Sequence, residues 1–156
     1  MLDPSIIRNE IDALEAIAID IEKDMKKLLL ESEVKSRSTM PTRSEYYFSK
    51  FSGDLWDLQR ETIKKYEKWY TMSLIFIQQY IPDKEDDFVS HYSSIGDPQI
   101  RELLQFKSTK TYKSDIDRVS AIRAFKLAVL RSFIEKFDDQ RHILSAIPGI
   151  VKIGSF

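Results

Sequence analysis

The sequence predicts an all-α protein that folds as an antiparallel helical bundle with three long and two short helices. Apolar residues recur at alternating spacings of three and four along several stretches, which is the period of one face of an α-helix. The 156 residues include only four glycines and five prolines, so few positions interrupt a helix. A chain of this length can bury its own core. We therefore expect a single bundle domain over residues 1–146, followed by an apolar tail over residues 147–156.

The first long helix is predicted to begin after Asp3. An aspartate before a proline suits a helix start, because its carboxylate caps free N–H groups and Pro4 has no N–H to leave unpaired. One apolar seam then runs for about six turns. We expect this seam to pack into the core, with a dimer seam as the alternative. Its residues are Ile7, Ile11, Leu14, Ala18, Ile21, Met25 and Leu28.

Residues 32–43 are interpreted as a long solvated loop, because they lack a helical period, are rich in serine and threonine and contain a proline. The bases of this loop, Lys35, Arg37 and Arg43, could alternatively meet a phosphate backbone. Ser44 is predicted to cap the next helix, which would bury Tyr47 and Phe48 on its first apolar face.

The middle of the bundle is predicted to be the helix that contains residues 65–82, the most apolar and aromatic stretch of the chain. Gly53 would kink or interrupt its approach, because glycine weakens a helix. Pro82 would end it, because the proline ring cannot continue a helix. We expect Trp69 and Tyr70 to be structural core residues.

Two short helices should follow, one capped by Asp83 and stopped by Gly96, the next opened by Asp97 and Pro98. Residues 107–113 are interpreted as a basic connector. The last long helix is predicted to begin at Ser114 and to run to about residue 146. It would bury a stripe that comprises Ile116, Val119, Ile122, Phe125, Val129, Phe133 and Phe137.

The apolar tail is the first candidate for a partner surface, because apolar residues at a chain end usually need burial by the same chain or by a partner. Such a tail could also lead into a further domain of a longer protein. The candidate residues are Ile147, Ile150, Val151, Ile153 and Phe156.

The net charge of −1 conceals an uneven distribution of charge. Residues 1–31 carry eight acids and four bases, whereas residues 101–131 carry eight bases and three acids. One interpretation is that acidic and basic helices lie side by side and neutralise each other. The alternative is a basic face that binds nucleic acid. The candidate contacts are Lys107, Lys110, Lys113, Arg118, Arg123 and Arg131.

Several classes of protein are disfavoured by composition. The chain contains no cysteine, which excludes disulfides, thiol nucleophiles and cysteine-bound zinc. The four glycines are too dispersed to form a phosphate-binding loop. We expect no cofactor and no bound metal. The first residues do not resemble a signal peptide, and the longest apolar run, Leu74 to Ile77, is too short for a membrane span. The cytoplasm is the expected location.

The two histidines support a nuclease only weakly. His91 follows Asp87 by four residues and His142 follows Asp139 by three, so each pair would share a helix face, as metal ligands require. The chain lacks the Glu-x-x-His motif of di-metal bundles. Helical ribonuclease domains of the HEPN class have an arginine separated from the histidine by four to six intervening residues, and no arginine occupies those positions here. A HEPN-like or metal-dependent nuclease is therefore the second alternative, and exposed ion pairs explain the histidines more simply.

Part of the chain resembles a helical region of uncharacterised prokaryotic proteins, some of which are linked to genome defence. The resemblance spans roughly residues 50–147 and rests on Lys68-Trp69-Tyr70, on Tyr80-Ile81-Pro82-Asp83, on Phe88 and Tyr92, and on residues 140–146. It implies an accessory module and a prokaryotic source, and it names no active site.

The function predicted from these features is that of a non-catalytic interaction or assembly module, which could be the N-terminal domain of a larger protein. Its partner would be another protein, its own downstream domain or a second copy of the chain, bound through the acidic first helix or the apolar tail. Nucleic-acid binding through residues 101–131 and the loop at 35–43 is the first alternative.

Overall fold

The structure, a computed structural model, describes residues 3–40, 43–111 and 115–154. The chain is mostly helical and carries a small three-stranded antiparallel sheet with strand order β1-β2-β3. The elements are α1 (Pro4–Glu31), β1 (Val34–Met40), β2 (Arg43–Phe48), α2 (Asp54–Tyr80), a 3-10 turn (Pro82–Lys84), α3 (Glu85–Ser90), α4 (Tyr92–Ile95), α5 (Asp97–Arg101), a second 3-10 turn (Leu103–Gln105), β3 (Lys107–Thr111), α6 (Asp115–Ser145) and α7 (Ile147–Gly154).

Helix α1 begins and packs as its sequence predicts. The Asp3 carboxylate accepts a hydrogen bond from the Ser5 backbone N–H at 2.7 Å, and Pro4 is the first helical residue. Every residue of the predicted apolar seam is buried, from Ile7 at the start to Leu28 near the end.

The other two long helices run antiparallel to α1, as contacts along their lengths indicate. The Trp69 indole N–H on α2 donates to the Leu14 carbonyl at 3.0 Å, and both groups are buried. On α6, the Lys126 ammonium donates to the Leu30 carbonyl at 3.0 Å, and Arg141 contacts Glu15 near the other end of α1.

A buried aromatic cluster joins α2 to α3, α4 and α6. Tyr66 and Trp69 are both fully buried, and the Phe137 ring of α6 lies edge-on to both, at 5.8 and 4.9 Å between centroids. The Tyr66 hydroxyl donates to the Gln140 side-chain carbonyl at 2.8 Å, and the Gln140 amide donates to the Phe88 carbonyl at 3.0 Å. These hydrogen bonds satisfy polar groups inside the core, where an unpaired group would be destabilising.

The predicted loop at residues 32–43 and the predicted connector at 107–113 are wrong, because both contain strands. The prediction that Ser44 caps a helix is wrong as well, since Ser44 lies in β2 and the helix begins ten residues later, at Asp54. The chain reaches α2 through Gly53, whose φ of 58° favours glycine. Strands β1 and β2 are neighbours in sequence, and their two-residue alternation does not register in a search for a helical period. Strand β3 pairs with β2 from some 60 residues away, which no local pattern can indicate.

The short elements also differ from the predicted pair. The segment after Pro82 forms a 3-10 turn and then α3 and α4, and a second 3-10 turn separates α5 from β3. The predicted tail contains α7, which begins at Ile147 and packs against α1 and α2. Ser114, the predicted start of the last helix, lies outside the described residues. Within the part that the structure describes, no helix is both long and apolar enough to cross a membrane.

Gly96 provides a test of the packing beside α4. A Cβ atom at this position would lie 2.7 Å from the Tyr92 Cε2 atom and 2.9 Å from the Tyr92 carbonyl oxygen. Because the Tyr92 ring packs on Tyr70 at 4.5 Å, it has little room to move. We expect Gly96→Ala to lower the free energy of unfolding by about 1–3 kcal/mol, the usual range for overpacking, in urea titrations followed by circular dichroism.

Gly149→Ala is the matched control, because a Cβ there would meet no atom within 4 Å. Alanine favours a helix over glycine by up to about 1 kcal/mol, so this variant should be neutral or more stable. Equal destabilisation by both substitutions would contradict the proposed clash.

Candidate nucleic-acid interface

The sheet has one buried and one solvent-facing side, because successive side chains of a strand point to opposite faces. In β2, Tyr46 and Phe48 are almost fully buried, at 0% and 1% exposure, while Glu45 and Tyr47 between them are partly exposed. Residues 34–37 of β1 show the same alternation, with Lys35 and Arg37 exposed.

The buried side of the sheet packs on α6. The Phe48 and Phe125 rings lie 5.1 Å apart between centroids, and Phe106, just before β3, lies 5.6 Å from Phe133. The guanidinium of Arg118 donates to the Ser36 hydroxyl at 2.7 Å. Helix α6 thus supports the sheet from behind and leaves its other side open.

The open side brings together basic residues from two distant segments. The register places Lys35 opposite Tyr47, and Tyr47 opposite Lys107, so the three side chains form one row across the strands. Neighbouring strands lie about 4.8 Å apart, so the two lysines leave the backbone about 10 Å apart on either side of the tyrosine. We call Lys35, Arg37, Glu45, Tyr47 and Lys107 the basic sheet face.

One carboxylate moderates the charge of this face. Arg37 and Glu45 are opposite each other in the register and form an ion pair of 3.0 Å. Lys35 and Lys107 form no ion pair with any residue that the structure describes. The face therefore combines two lysines without an ion pair in the described ranges, one arginine paired with a glutamate, and one partly exposed aromatic ring.

Four acidic residues of α1 form ion pairs away from this surface. Arg141 of α6 contacts Glu15 and Glu22, and the hydrogen bond that its guanidinium donates to the Glu15 carboxylate raises the pKa of Arg141. Lys65 of α2 contacts Asp24 at 2.7 Å, and this hydrogen bond raises the pKa of Lys65. The bases that balance these four acidic residues are thus Lys65 on α2 and Arg141 near the end of α6, and both lie outside residues 101–131.

The structure divides the predicted nucleic-acid contacts. Lys107 lies on the basic sheet face, whereas Arg118 bonds Ser36 on the buried side. Arg123 and Arg131 are exposed on α6 and have no ion-pair partner in the described ranges. Lys110 is in β3 with its backbone opposite Ser44. Lys113 lies outside the described residues.

The tail residues have different environments. Ile147 and Val151 are buried in the core of the same chain, at 0% and 7% exposure, whereas Ile150 is 45% exposed. Ile153 lies in α7, and Phe156 lies outside the described residues.

The histidines do not form a metal centre in the part of the chain that the structure describes. His91 faces Asp139 of α6, with 3.6 Å between Nε2 and Oδ2. The sequence spacing had instead suggested that Asp139 pairs with His142. No group of three or more His, Asp or Glu side chains capable of holding a metal occurs in the described ranges.

Sequence reasoning missed Tyr47, because it assigned this residue to the core of a helix. The available signal was the alternation of residues 34–38, Val-Lys-Ser-Arg-Ser, and of residues 44–48, Ser-Glu-Tyr-Tyr-Phe. Comparison with protein-family models, with curated proteins and with solved structures finds no significant match. Function is therefore inferred from the site itself.

Glu45 provides a test of the charge on this face. We expect Glu45→Gln to free Arg37 from its ion pair and to make the face more positive, so that the variant elutes from heparin at higher salt than the parent protein. Glu61→Gln is the matched control, since Glu61 forms a similar exposed pair with Lys64, at 3.7 Å on α2. An equal shift in both variants would show that net charge, and not the sheet, determines heparin binding.

Proposed function

We propose that this protein binds single-stranded nucleic acid through the basic sheet face. The observation that carries the proposal is the row formed by Lys35, Tyr47 and Lys107, in which an aromatic ring lies between two lysines on the open side of a sheet. Proteins that hold single strands combine basic groups for the phosphates with aromatic rings on which bases stack.

The geometry favours a single strand over a duplex. A tyrosine ring can stack on a base only when the base is unpaired and accessible, and bases in a duplex are already stacked on each other. The lysines beside Tyr47 can meet the phosphates that flank such a base. The low net charge of the whole chain leaves this attraction local to the sheet.

In this proposal the three long helices act as an antiparallel bundle that supports the sheet. The protein is then a binding module without catalytic chemistry that works in the cytoplasm. This agrees with the accessory role that the resemblance to prokaryotic proteins implies.

Fluorescence anisotropy with labelled oligothymidine and oligouridine tests the proposal. We expect affinity to fall steeply between about 50 and 200 mM salt, because each phosphate contact on a single strand contributes about 0.7 to the slope of log K against log salt. Lys35→Ala and Lys107→Ala should each reduce this slope by about 0.7. Tyr47→Leu should weaken binding by about 1–3 kcal/mol, the range for one stacked base, and leave the slope unchanged.

Lys23→Ala and Lys68→Ala are the matched controls. Both lysines are exposed, they lie on α1 and α2, and their removal changes the net charge by the same amount. They should not affect affinity. Absence of binding at low salt, or an equal loss from the control variants, would refute binding through the sheet.

Association of two copies of the chain is the second candidate function. Ile6 and Ile150 are 47% and 45% exposed, and Arg8 and Gly149 line one cavity, so the first turns of α1 and α7 lie side by side. Light scattering after size exclusion should then give the mass of a dimer, and Ile6→Ser with Ile150→Ser should give a monomer. A monomer at high micromolar concentration in the parent protein would exclude this candidate.

A further inference from the structure

A groove runs between β3 and α6, at the edge of the basic sheet face. Its volume is about 300 Å³. Its lining residues are Phe106, Lys107 and Ser108 on the strand side and Ala124, Phe125, Ala128, Val129 and Ser132 on the helix side.

The helix side of the groove is open because its side chains are small. Ala124, Ala128 and Ser132 follow one another at intervals of one helical turn, so they share one side of α6. All three are exposed. The strand side contributes a half-buried ring, Phe106, which packs on Phe133 behind it. The groove therefore has an aromatic ring on its strand side and small side chains on its helix side.

Lys107 connects this groove with the basic sheet face. It lines the groove and also stands beside Tyr47 in the row across the strands. A single-stranded nucleic acid with one base stacked on Tyr47 would pass the Lys107 ammonium as it crosses the edge of the sheet. The next phosphate would then meet a positive charge at the mouth of the groove.

We infer that the groove accepts one unstacked base of the single-stranded nucleic acid that the basic sheet face binds. This inference rests on the proposed function. The volume is at the lower end of the range for ligand sites, about 300–1,000 Å³, which suits a single planar ring system. The Phe106 ring supplies a stacking surface, and the Ser108 and Ser132 hydroxyls can each donate to or accept from the edge of a base.

The test fills the groove without changing charge. Ala128→Leu places a larger side chain at an exposed helical position, where folding should be unaffected, and circular dichroism checks this. Affinity is measured by anisotropy for oligouridine, for oligothymidine and for an abasic strand of the same length. We expect the parent protein to bind the strands with bases more tightly than the abasic strand, and Ala128→Leu to lose about fivefold or more of that affinity, as expected for one stacked base.

The matched control is Ala16→Leu, at an exposed position on α1, which should bind every strand as the parent protein does. Binding of the abasic strand should be the same in all three proteins. The ratio of the affinities for oligouridine and oligothymidine assigns the groove to RNA or to DNA.

Two results would overturn the inference in distinguishable ways. If Ala128→Leu binds strands with bases as the parent protein does, while Lys35→Ala and Lys107→Ala weaken binding, the groove holds no base and the proposed function stands. If the parent protein binds none of the strands at low salt, both the inference and the proposed function fail.

Discussion

The Gln140 side chain is the contact on which the arrangement of the helices depends. It is fully buried, and both ends of its amide are used, one by the Tyr66 hydroxyl and the other by the Phe88 carbonyl. An apolar residue of similar size could fill the space, but it would leave these two partners unpaired in a place that water does not reach, which costs more than an average hydrogen bond contributes. The directional hydrogen bonds of Gln140, together with side-chain packing, therefore fix the position of α6 relative to α2 and α3.

Fixing α6 also fixes the sheet. The same helix carries Phe125 and Phe133, both nearer its start than Gln140, against which the sheet and the segment before β3 pack. Lys126 anchors the first half of α6 to the end of α1 through the Leu30 carbonyl, and burial lowers the pKa of Lys126. One continuous helix thus links the aromatic core at one end to the sheet at the other.

The sequence predicted what local periodicity can indicate. The start of α1 at Pro4 and its buried seam follow from capping and from the spacing of apolar residues, and the end of α2 before Pro82 follows from the proline ring. A helical period could not reveal the sheet, because β1 and β2 alternate every two residues and β3 pairs with β2 only after the helices between them have packed. The complete row that contains Tyr47 could not be predicted, because Lys107 joins it only through the pairing of β3 with β2, although the basic character of both segments was visible.

The sheet joins parts of the chain that are far apart, since α2 to α5 lie between β2 and β3. Lys107 can approach Lys35 only after these helices have packed, so a partly folded chain lacks the complete row. Formation of this surface is consequently coupled to cooperative folding of the protein. A ligand that recognises the whole row selects the native state from the ensemble and raises the midpoint of thermal unfolding by mass action.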